Sequence, residues 1–135
     1  MKHGVRALLP LLLFTAACHG ESTGPLDVGV HGRYTLRTMN GDPLPATYTE
    51  IPNYKLEFMG GIVTLKEDGT FTDSTDIRRT DGGTVRRIMD VATGEWTQVL
   101  DTVKLHSSRG ERYQMTAGDR KLEQKLGGFI LVYRR

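Results

Sequence analysis

Tyr54-Lys55-Leu56-Glu57-Phe58 sets three large apolar side chains on one parity and two charges on the other. A period of two is the mark of a strand with one face buried and one face in water. The same pattern recurs at the start of the chain's body, where Tyr34 and Leu36, with Val30 before them, alternate with Arg33, Thr35 and Arg37. Further stretches of this kind are Ile62–Lys66, Thr70–Ile77, Thr84–Val91, Glu95–Val99, Thr102–His106, Arg112–Thr116 and Phe129–Tyr133. Between them lie breaker clusters. Asn40-Gly41-Asp42-Pro43 reads as the opening of a longer loop. Glu67-Asp68-Gly69, Asp81-Gly82-Gly83 and Ala117-Gly118-Asp119 suit tight hairpins, since glycine supplies the positive φ such turns need. Many short strands at this spacing predict an all-β fold: a single antiparallel β-barrel, or a barrel-like sandwich, of roughly eight strands. Residues 119–126 stay open. They read as a strand around Leu122, or as a short helix with Leu122 and Leu126 on one face and Gly127 as its cap; the strand is the preferred reading.

The chain has 135 residues, with 18 basic and 16 acidic side chains, which suits one domain. Its N-terminus carries Lys2, His3 and Arg6, then an uncharged run from Ala7 to Ala17. That run is shorter than the roughly 18–20 apolar residues a spanning helix needs, and it fits the hydrophobic region of a signal peptide. It ends in Phe14-Thr15-Ala16-Ala17-Cys18, which resembles the lipobox of bacterial lipoproteins, where small residues precede an acylated cysteine. The resemblance implies cleavage before Cys18 and a lipid on its thiol. Cys18 is the only cysteine, so no internal disulfide competes for it. The expected organisation is a signal peptide over residues 1–17, a lipidated tether over 18–27 that is rich in Gly, Ser, Thr and Pro, and a β domain over 28–135. Lipid at Cys18 would anchor the domain to a membrane of the cell envelope without spanning it. His19, in place of the Asp that marks inner-membrane retention in enteric-type bacteria, favours the outer membrane. Lys2 and Arg6 leave with the leader, so the mature chain is formally neutral and offers no electrostatic reason to bind nucleic acid.

A triplet recurs in the body: Gly32-Arg33-Tyr34-Thr35, Gly69-Thr70-Phe71-Thr72 and Gly94-Glu95-Trp96-Thr97. In each, glycine would end a turn, and the aromatic side chain would then point inward to close the core. With Asn40-Gly41, Leu44-Pro45, Asp101-Thr102-Val103-Lys104-Leu105 and the closing Phe129-Ile130-Leu131-Val132-Tyr133-Arg134, these segments resemble the lipocalin-like domains of small bacterial lipoproteins. The resemblance implies a barrel. It also raises two uses for the side chains Tyr34, Leu36, Leu56, Phe58, Phe71 and Trp96. They would line a cavity for a small hydrophobic molecule or lipid, or they would fill the barrel themselves and leave its surface to meet a protein, as in a structural or inhibitory envelope lipoprotein.

Chemistry is sparse. With Cys18 committed to lipid, no thiol nucleophile remains. His31 and His106 lack any metal-ligand spacing, and Ser107-Ser108 beside His106 is adjacency rather than triad geometry. Asp73 and Asp76 fall in a threonine-rich strand and read as solvated. No nucleotide-binding or other cofactor motif is present. The expectation is a domain with no catalytic residues, no metal and no cofactor, and not an enzyme. One charge pattern stands out. If Gly82-Gly83 is a two-residue hairpin loop, Arg79 faces Arg86 and Arg78 faces Arg87. Like charges directly opposite are destabilising, and a phosphate-bearing anion could offset them. Otherwise Asp76, Asp81 and Asp90 balance a solvated hairpin.

Overall fold

The computed structural model describes residues 29–135. The expected signal peptide at 1–17, the expected lipid site at Cys18 and the expected tether at 18–27 lie outside the described residues. Ten strands follow one another: β1 (Gly32–Met39), β2 (Asp42–Pro43), β3 (Ala46–Ile51), β4 (Tyr54–Leu65), β5 (Thr70–Asp81), β6 (Thr84–Val99), β7 (Thr102–Ser107), β8 (Arg112–Gly118), β9 (Lys121–Leu126) and β10 (Phe129–Arg134). All neighbours are antiparallel, and β1 pairs with both β10 and β4. That double pairing closes β1 and β4 to β10 into an eight-stranded barrel, with β2 and β3 as additions. Residues 119–126 contribute strand β9, paired along its length with β10. The alternation of Leu122 and Gln124 as buried positions is strand periodicity, and it displaces the helical reading.

The parity read from the sequence holds within most strands but flips at two bulges, between Leu36 and Thr38 in β1 and between Phe58 and Gly60 in β4. The latter lies inside a single strand that joins Tyr54–Phe58 to the stretch beginning at Ile62. Tyr34 and Leu36, Val63 and Leu65, Val103 and Leu105, Leu131 and Tyr133 all enter one buried cluster with Phe71, Met115 and Leu122. Arg135 locks the lower end, where β1 begins and β10 finishes. Its guanidinium donates to the carbonyls of Gly29 and His31 and to the Tyr34 hydroxyl at 2.8 Å. It also lies 4.9 Å from the centre of the Tyr34 ring, in cation–π geometry. At the upper end, Tyr48 of β3 packs its ring against Phe58 at 5.7 Å and Phe129 at 4.8 Å.

Three local expectations are corrected. Asn40-Gly41 is itself a tight turn, both residues at positive φ (54° and 88°), and it pairs Met39 with Asp42 instead of opening a loop. The turn after β8 is made by Asp119 and Arg120, the latter at φ 51°, with Gly118 still paired to Lys121 in the strand. Thr84–Val91 and Glu95–Val99 are one strand, β6, because Gly94 is not a turn residue. It sits in mid-strand opposite Phe71 on one side and Ser107 on the other. A Cβ there would come within 2.0 Å of the His106 carbonyl oxygen. Gly94 is the point where two strands approach too closely for any side chain.

The long strands have a consequence. β7 pairs with β6 only from Gly94 onward, and β1 pairs with β4 only from Ile62 onward. The first half of β4, the second half of β5 and the first half of β6 therefore rise past the barrel rim with β3 as a four-stranded blade. In this blade every β6 residue from Thr84 to Val91 is exposed.

Candidate functional site

Two regions were marked by the sequence, the barrel interior and the arginine hairpin. Inside, Tyr34, Leu36, Phe58 and Phe71 are brought together, each no more than 5% exposed, in the same packed cluster. Trp96 joins this cluster from the lower end, half-buried, with its indole N–H donating to the Lys66 carbonyl at 2.9 Å. Leu56 is not in the cluster; it lies on the blade opposite Arg79 and is half-buried.

The interior also holds polar groups. Asp73 stands two residues after Phe71 and shares its inward parity, so it points into the barrel and not into water as expected. Its Oδ2 accepts from the Tyr113 hydroxyl at 2.9 Å, while Oδ1 is buried without a partner among the described residues. Tyr133 and Gln124 lie nearby, their side chains 3.4 Å apart. Burial raises the Asp73 carboxyl above its ordinary value; the Tyr113 bond opposes this and the charge of Asp90 adds to it. Burial likewise pushes both phenols up, helped by the Asp73 carboxylate, so Tyr113 and Tyr133 remain hydrogen-bond donors throughout the neutral range. The signal available in sequence was the two-residue spacing of Phe71 and Asp73, outweighed there by the polar neighbours.

A raised carboxyl binds its proton more tightly in the folded state than in the unfolded one. Its unfavourable contribution is absent below the ordinary carboxylate range and grows as pH rises through the folded value. Asp73→Asn keeps an acceptor for Tyr113 and removes the charge. It is expected to stabilise the protein by about 1 kcal/mol at pH 7, with the gain vanishing below about pH 4. Urea denaturation of both proteins across that range measures the difference.

In the hairpin, Gly82 and Gly83 both take positive φ, 54° and 84°, and the register sets Arg78 against Arg87 and Arg79 against Arg86. The two pairs face opposite sides of the blade. On the outer side the repulsion is absorbed. Arg78 Nε donates to Glu57 Oε2 at 2.8 Å, Lys55 Nζ stands 3.3 Å from Glu57 Oε1, and Arg87 Nε donates to Asp76 Oδ1 at 2.8 Å. These cations hold the Glu57 and Asp76 carboxyls below their ordinary range. On the inner side compensation is thin. Among the described residues Arg79 reaches only Asp81, at 3.8 Å, its Nε is buried without a partner, and Arg86 has no carboxylate partner. Of the four arginines expected to hold an anion, Arg78 and Arg87 are each bonded to a carboxylate at 2.8 Å, and Arg79 and Arg86 are not. Asp90, expected to balance the hairpin, is held instead by Arg109 of the β7–β8 turn at 3.0 Å.

A third feature, missed in the sequence, is a polar groove of about 470 Å³ on the outer face of β6, β7 and β8. Glu95, His106 and Arg112 stand side by side across it, next to Thr97, Lys104 and Gln114. Among the described residues no group of three acidic, His or Cys side chains is placed to hold a metal ion. Comparison with protein-family models, curated proteins and solved structures finds no match.

Proposed function

We propose that this chain is a lipid-anchored envelope protein of the lipocalin-like type whose barrel is filled by its own side chains and which acts, without catalysis, through its surface. One observation carries the reading. Four of the residues expected to line a cavity are each no more than 5% exposed, packed with Val63, Val103 and Leu122, which are wholly buried. Small barrels have an interior just wide enough for side chains to fill. The working surface would be the blade, which projects from the rim with apolar side chains in water: Val85, Ile88, Met89 and Val91. Acylation at Cys18 would hold that surface near a membrane, with outer-membrane delivery favoured by His19.

A second reading has its own observation. The unpartnered Asp73 oxygen is an acceptor aimed into the barrel, and a small hydrophobic molecule with a donor at one end would satisfy it. Native mass spectrometry of the full chain released from detergent micelles separates the two. The surface reading expects the mass of the acylated chain, or a whole multiple of it, with no ligand added. A reproducible additional mass, lost in a folded Phe58→Ala or Trp96→Ala variant, would replace it with the interior binder.

A further inference from the structure

Exposed strand edges template pairing with other strands, and proteins usually blunt them with bulges, prolines or brevity. This fold blunts two of its edges. β2 has two residues and includes Pro43, and β3 carries a bulge between Thr47 and Thr49. The blade edge of β6 has neither device and is blunted only by the charges of Arg86, Arg87 and Asp90. Its ladder with β5 runs from Thr84 to Glu95 without a register shift, and it contains no proline. On its other side β6 is free among the described residues until Thr93, whose carbonyl accepts from the Ser108 N–H of the β7–β8 turn. Main-chain groups alternate sides along an antiparallel strand. Val85, Arg87, Met89 and Val91 share the parity of Thr93, so their N–H and C=O groups point away from β5 into the open.

We infer that this edge, Thr84 to Ala92, pairs antiparallel with the same edge of a second copy of the chain, around a two-fold axis at Ile88. Two independent observations select this occupant and this register. The free edge ends at Ala92, because Ser108 occupies the position opposite Thr93, and its midpoint is Ile88. The side chains are then self-complementary about that point. Ile88 meets the partner's Ile88, and Val85 meets the partner's Val91. Arg86, without a carboxylate among the described residues, meets the partner's Asp90, which each copy also bonds to its own Arg109. The open main-chain groups match as well: Val85 with the partner's Val91 and Arg87 with the partner's Met89 form the hydrogen-bonded pairs. A register shifted to centre on Arg87 would set that cation against itself. The contact is isologous and closes as a dimer; it is strand addition with the chain as its own ligand. It shields four apolar side chains that are 39–62% exposed in the single copy.

The inference rests on the blade being the working surface and names its partner. The full chain in detergent is examined by sedimentation and by cysteine cross-linking. At a pair outside the hydrogen-bonded rings, facing Cα atoms lie about 4.5 Å apart, within disulfide range. Ile88→Cys is expected to give a covalent dimer on mild oxidation, whereas the unmodified chain and Ile130→Cys, exposed on β10, do not. Arg86→Asp sets like charges across both halves of the dimer and is expected to raise its dissociation constant at least about tenfold. The same change relieves the Arg79–Arg86 repulsion within each copy, so lost dimer cannot be ascribed to lost folding. The triple variant Arg86→Asp/Asp90→Arg/Arg109→Gln restores the pairs with signs exchanged, removes the cation that Asp90 bonds within its own copy, and is expected to recover dimerisation. A monomer at all concentrations overturns the inference, as does a dimer without the Ile88 cross-link or one the triple variant fails to rescue. Hydrogen-exchange protection of Val85–Val91 in whole envelopes without that cross-link overturns it in favour of a foreign strand. An interior ligand found by native mass spectrometry would sink the filled-barrel reading, yet a dimer mass in the same spectrum would leave the pairing intact.

Discussion

Gly94→Ala is expected to be the most damaging small substitution in this protein, lowering stability by about 3 kcal/mol or more. The added Cβ would lie 2.0 Å from the His106 carbonyl oxygen, 2.9 Å from the His106 carbonyl carbon and 2.9 Å from the Phe71 ring. Two of those neighbours are backbone atoms, and they belong to the β6–β7 pairing that begins at Gly94 and Ser107. Relief requires separating the two strands, which breaks ladder hydrogen bonds beside the core. Overpacking of a well-packed site costs about 1–3 kcal/mol when side chains can yield, and more when they cannot. Against a typical total of about 5–15 kcal/mol, this variant approaches unfolding. Gly60→Ala is the control. Its Cβ meets nothing within 4 Å, and its effect is expected to stay within about 0.5 kcal/mol. Urea denaturation followed by the fluorescence of the single tryptophan, Trp96, compares the two. Equal costs would mean that glycine is needed in β6 for flexibility and not for close approach.

Phe71→Ala is expected to cost about 3–5 kcal/mol, the range for removing a fully buried aromatic ring. Phe71 is 1% exposed, lies across from Gly94 and meets the Tyr113 ring edge-on at 6.0 Å. Its ring occupies the space that the missing Gly94 side chain leaves, so nothing nearby can move in to replace it. The size of the loss also reports on the interior. In a filled barrel the variant gains a void and loses the full amount. Were a ligand cavity already beside this ring, solvent or ligand would occupy the new space and the loss would fall to about half.

Much of the fold was legible because strand periodicity is a local property. Inward and outward residues alternate whatever the neighbours are, so Tyr34, Leu36, Phe58 and Phe71 declare themselves as core from their own segments. The hairpin at Gly82-Gly83 was legible too, since two glycines at positive φ leave one economical register, and that register places Arg78 against Arg87. Asp73 was misjudged for the complementary reason. Its strand neighbours are polar, yet parity with Phe71 turns it inward, and only the surrounding strands decide whether the inward side is dry.

By itself the sequence determined an all-β chain, the buried parity of most strands and the two-glycine hairpin, since each rests on short-range geometry. Closure of the barrel, the blade and the free edge of β6 were decided only by the tertiary structure. They depend on which strands pair over which residues, and those pairings join segments far apart in the chain. Gly94 shows the difference in one residue. In sequence it reads as a strand start. In the folded chain it permits the close approach of two strands, and β6 continues through it to an edge that the barrel does not cover.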